Sequence, residues 1–119
     1  MKNTLGIDGE TAVIAFDPDL QMFRGEFMGL NGGADFYADT VDGLKAEGQK
    51  SLEIYRDMCR EQDIEPRRRF SGKFNLRLDP RDHEAAVIAA AAAGVSLNEW
   101  IAGAIRSAGF ISGSLSDGA

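Results

Sequence analysis

Lys73, Asn75 and Arg77 stand at every second position of Lys73-Phe-Asn-Leu-Arg-Leu78. In an extended chain alternate side chains share a face. Lys and Arg suit guanine O6 and N7, and Asn suits adenine N6 and N7, so this row has the chemistry to read base edges. Arg67, Arg68 and Arg69 lie just upstream and would add salt-sensitive attraction to a phosphate backbone. Downstream, Ser96-Leu-Asn-Glu99 opens a helix. The N–H groups of Ser96, Leu97 and Asn98 at its positive end suit a phosphate. A solvated edge strand and a soluble basic linker are the plainer explanations of the same residues.

A second set of residues invites a different chemistry. Asp8, Asp17, Asp19, Asp35 and Asp39 are numerous enough to suggest paired carboxylates holding divalent ions, as in a metal-dependent nuclease. Yet Asp17 and Asp19 flank a turn proline, and Asp39 sits beside a helix cap. No Ser or Cys stands beside a base, no glycine-rich phosphate loop is present, and no ligand spacing marks a metal site. His83, the one histidine, reads as a packing or capping residue. Cys59 falls on an apolar helical stripe and reads as a buried structural thiol. The expectation is no catalytic residue, no metal and no cofactor.

The elements that must position the basic row can be read around it. Phe74, Leu76 and Leu78 fill the alternate face of a strand over 73–78. Asp79-Pro80 is a helix cap followed by proline at the first helical position. An alanine-rich helix then runs to Gly94, which suits a left-handed C-terminal residue. Ser96 and Glu99 form a capping box, and Leu97, Trp100, Ile101, Ala104, Ile105 and Ala108 make the stripe of a second helix. One strand and two helices cannot bury a sufficient core, and the strand has both edges unpaired. Pairing with the same strand of a second copy about a twofold axis answers both problems. Such a two-stranded ribbon fits the major groove.

The first half reads as β-β-β-α. Strands are expected over Thr11–Phe16, Phe23–Met28 and Asp35–Asp39, with Asp17-Pro18-Asp19 and Asn31-Gly32-Gly33 as turns. Thr40 caps a helix of about 20 residues whose stripe is Val41, Leu44, Gly48, Leu52, Tyr55 and Cys59. That helix covers one face of a small antiparallel sheet, an α+β arrangement.

Composition sharpens the division. The 119 residues carry 13 Lys+Arg against 19 Asp+Glu, a net charge of −6. Through Glu65 there are six bases and fourteen acids, net −8; from Pro66 there are seven bases and five acids, net +2. The expected boundaries are a domain over 1–65, a basic linker over 66–72, a second domain over 73–109 and a frayed tail over 110–119. No apolar run has the roughly 20 residues of a membrane span, no basic-then-apolar leader is visible, and a single cysteine suits a reducing cytoplasm.

The strand, proline start, Gly94 turn and capped helix resemble the ribbon-helix-helix repressors, and the chain as a whole resembles the HicB family of antitoxins. The carriers are Ser71-Gly-Lys-Phe-Asn-Leu-Arg-Leu-Asp-Pro80, His83, and Gly94-Val-Ser-Leu-Asn-Glu-Trp-Ile101. Ala12-Val-Ile14, Asp17, Phe23-Arg-Gly25, Phe36, Thr40, Tyr55, Cys59 and Pro66 extend the likeness to about residues 11–108, with departures at Ala38 and Gly43. The resemblance implies an N-terminal domain similar to a partial, inactive RNase H fold that masks a small RNA-cleaving HicA-type toxin. It implies a C-terminal domain that dimerises, with pairing of dimers left open, and represses its operon through operator DNA. No toxin-contacting residue follows from it. A free-standing ribbon-helix-helix regulator is the alternative.

Overall fold

The computed structural model describes residues 3–109. They form two compact units, one running through Phe70 and one starting at Ser71.

In the first unit β1 (Thr4–Ile7), β2 (Glu10–Asp17), β3 (Met22–Phe27) and β4 (Asp35–Ala38) make an antiparallel meander in chain order. The fold is α+β as expected, but the sheet has four strands rather than three. The extra one, β1, is turned back onto β2 by Asp8 and Gly9, at φ 46° and 85°, with Ile7 opposite Glu10. Asp-Gly supplies the two left-handed positions that the tightest hairpins need.

The β2–β3 register sets Phe16 opposite Phe23, Ile14 opposite Gly25 and Ala12 opposite Phe27. Ala12, Gly25, Phe27, Phe36 and Ala38 are buried on one face, and Val13, Glu26, Asp35 and Tyr37 are exposed on the other. The buried face takes one helix, α1 (Val41–Gln62). Thr40 caps it, its hydroxyl accepting from the Gly43 N–H at 2.9 Å. Leu44, Gly48, Leu52, Tyr55 and Cys59 are buried, which is the expected stripe less its first member. Val41 is 59% exposed. A helical side chain leans back over the preceding turn, and at the first position no preceding turn exists.

Glycine at 25 is required by close approach. A Cβ there would fall 2.3 Å from Cζ of Phe36, and one at Gly48 would fall 3.1 Å from the same ring. The Phe36 ring therefore fills the space between β3 and α1, 5.2 Å from the Phe27 ring.

After α1 the chain returns along the loop that follows β3. The Asn31 N–H donates to the Pro66 carbonyl at 2.9 Å, and the Arg68 N–H to the Gly29 carbonyl at 2.9 Å. The Tyr55 hydroxyl donates to the same Pro66 carbonyl at 3.1 Å. Residues 66–68 thus pack as part of the first unit.

The second unit holds α2 (Pro80–Ala93) and α3 (Leu97–Gly109), which meet at 99°. No single helix among the described residues is long and apolar enough to cross a membrane. The expected tail over 110–119 lies outside the described residues.

Candidate nucleic-acid interface

Residues 73–78, expected as a strand, form none here because no other segment among the described residues pairs with them, and every residue from Ser71 to Pro80 is exposed. Phe74 is 73% exposed, Leu76 52% and Leu78 39%. This apolar row alternates along the segment with the exposed polar row Lys73, Asn75 and Arg77.

The helices that follow are built as their residues dictate. The Asp79 carboxylate accepts from the Arg81 N–H at 2.8 Å, and Pro80 opens α2. Gly94 ends it at φ 73°, and the Val95 N–H reaches back to the Ala90 carbonyl at 3.1 Å. That left-handed residue allows an immediate restart at Ser96. The capping box is fully formed: the Ser96 N–H donates to Glu99 Oε1 at 3.1 Å, and the Glu99 N–H donates to Ser96 Oγ at 3.0 Å. The backbone N–H of Ser96 foremost, and its side chain after it, lower the Glu99 carboxyl pKa from its ordinary value.

The box changes what the helix start can offer. The Ser96 N–H is already committed to Glu99, so the groups left for a phosphate are those of Leu97 and Asn98. Lys73, Asn75 and Asn98 line one open groove with Phe74, Leu76 and Ile101, of about 740 Å³. Arg77, Ser96 and Leu97 lie outside that groove.

The three arginines divide. Arg67 Nε lies 3.5 Å from Glu10 Oε2, with the Glu10 side chain 4% exposed and that of Arg67 62%. Arg68 stacks 4.8 Å from the centre of the Phe70 ring. Arg69 is exposed. Glu10 was not visible as a partner for Arg67, because its place at the start of β2 depends on the turn at Asp8-Gly9.

The acidic set also has local employment. Asp17 Oδ1 accepts from the Asp19 and Leu20 N–H groups at 2.9 and 3.2 Å. Asp35 Oδ2 accepts from Nε and Nη2 of Arg24 at 3.2 and 2.9 Å. Asp8 sits in the first turn. Among the described residues no three His, Cys, Asp or Glu side chains cluster closely enough to hold a metal. Cys59 is in the core at 2% exposure.

With this geometry in place, the HicB family model matches residues 55–105. Over those residues the chain is similar to the HicB family. The matched stretch starts at Tyr55 in α1, crosses the docked segment 66–68 and the open row 73–78, and ends at Ile105 in α3. It therefore contains every residue singled out as a nucleic-acid contact. No curated protein matches the chain, and no solved structure matches it. The match is consistent with an antitoxin role.

Proposed function

We propose that this chain is a non-catalytic antitoxin: its first unit masks a HicA-type toxin, and its second binds operator DNA and represses the shared operon. The first unit is read as a partial RNase H-like fold and the second as one half of a ribbon-helix-helix dimer. The observation that carries the reading is the open row Phe74, Leu76, Leu78 alternating with Lys73, Asn75 and Arg77. Among its described residues the second unit buries only Ala86 and Ala90. Fully burying a Phe or Leu side chain contributes about 1.5–3 kcal/mol, far more than an alanine. A second copy of the same row covers that apolar face and doubles the polar one, giving a ribbon for the major groove.

Net charge supports the division of labour. An acidic first unit suits a basic, RNA-seeking protein, and the carboxylate-free segment 66–78 suits DNA. The test is co-expression with the product of the adjacent reading frame, followed by operator shift. Co-purification, rescue of growth and a shift that saturates with dimer support the reading. If the neighbour neither binds nor harms cells lacking this chain, the protein acts as a free-standing regulator.

A further inference from the structure

The first unit exposes an apolar patch that neither its core nor the DNA reading uses. Phe16 is 53% exposed, Leu20 55% and Val41 59%. The register brings them to one end of the sheet: Phe16 is opposite Phe23, and Phe23 is opposite Ala38. Leu20 projects from the β2–β3 turn at that end, and Val41 begins α1 three residues after Ala38. Phe16 is also braced, its ring 5.7 Å from that of Phe23 in an edge-to-face pair.

Four carboxylates, Asp17, Asp19, Asp39 and Asp42, lie in the same two segments. Neither 16–23 nor 38–44 contains a Lys or Arg. The bases that follow these segments in sequence are Arg24, held on the opposite sheet face by Asp35 and Glu26, and Lys45, one turn into α1. Apolar anchors inside a single-sign rim mark a protein-binding surface, and the sign of the rim selects a basic partner.

The turn is also held ready. Asp17 accepts two backbone N–H groups, the Gln21 side chain donates to the Pro18 carbonyl at 2.7 Å, and Gln21 sits at φ 55°. A left-handed glutamine costs energy unless its surroundings fix it. A turn so fixed loses little further freedom when a partner closes on it.

We propose that the β2–β3 turn and the start of α1 together form the docking surface for a basic protein, with Phe16, Leu20 and Val41 as anchors and the four aspartates as steering charge. This rests on the antitoxin reading and specifies its toxin-facing side. The test uses the full chain and the product of the adjacent reading frame, with affinity measured by calorimetry. The first variant carries Phe16→Thr, Asp19→Lys and Leu20→Ser; the second carries Val41→Lys alone. A third, Val13→Thr with Tyr37→Thr, alters the open sheet face instead. Asp17 is left intact because it holds the turn, and thermal melting with operator shift verifies that each variant folds.

The expected result is a loss of about thirtyfold or more for the first variant, as for truncation of interface anchors. Val41→Lys weakens binding in the same sense, the sheet-face variant binds as the parent does, and parental affinity falls with added salt. Parental affinity in both the first and second variants, or loss only in the sheet-face variant, overturns the surface while leaving the antitoxin reading intact. Absence of binding by the parent protein removes the antitoxin reading, and this surface with it.

Discussion

Gly25 shows how little space one residue can be allowed. Alanine is ordinarily favoured over glycine in a strand by about 0.5–1 kcal/mol. Here the added methyl would meet three carbons of the Phe36 ring at 2.3–2.9 Å, and overpacking of a buried site costs about 1–3 kcal/mol. Gly25→Ala is therefore expected to destabilise the first unit in urea melts, against its propensity. The Glu10–Arg67 pair makes a second residue-scale prediction. Removing Arg67 leaves a buried carboxylate, but its guanidinium is mostly exposed and water replaces part of what is lost. Arg67→Ala is expected to cost about 1–2 kcal/mol, and clearly less when Glu10→Gln is already present. Equal costs in both backgrounds would remove the coupling. The alternation Phe23, Gly25, Phe27 was legible in the sequence. That the gap at Gly25 is filled by Phe36 was not, since it depends on the register of β4.

Elements with strong local chemistry were legible almost to the residue. Thr40, Asp79-Pro80, Gly94 and the Ser96–Glu99 box mark helix ends by satisfying or omitting backbone groups within four residues, so no tertiary information is needed. Strand β1 escaped because Thr4–Ile7 is short and lacks a strong apolar alternation. The Asp8-Gly9 pair was its only clear signal. The capping box of α3 carries a pH prediction. A carboxyl held below its ordinary range stabilises the folded form above its unfolded-state value and loses that contribution as pH falls through the folded one. Acidification below about pH 4.3, the usual glutamate value, is thus expected to weaken α3, and Glu99→Gln to flatten that dependence. Circular dichroism of the two proteins across this range checks it. Ser96→Ala, which removes the other half of the box, is expected to cost about 0.5–2 kcal/mol.

For the whole molecule, the proposed reading gives the acidic and the basic half different partners, and the described residues of the second unit bury only Ala86 and Ala90. Its melting is expected to rise with protein concentration, as it must when association supplies the core. Phe74→Ser with Leu76→Ser is expected to abolish that rise and, with it, the operator shift. Lys73→Ala, Asn75→Ala and Arg77→Ala together are expected to abolish the operator shift while leaving the dimer folded, each good base contact contributing about 1–3 kcal/mol. Unchanged operator affinity in this triple variant would refute the ribbon. The apolar row at 74–78 was legible because its alternation is unbroken; the commitment of Arg67 to Glu10 was not, because 57 positions separate them in sequence. One buried atom turns these halves into separately observable systems. The chain has a single cysteine, and its sulfur lies in the first unit's core. A thiol reagent can reach it only when that core opens, so the rate of labelling is a clock for one half of the protein. DNA, or a second copy bound through residues 73–78, is expected to leave the clock running at its own pace. A protein seated on the first unit is expected to slow it.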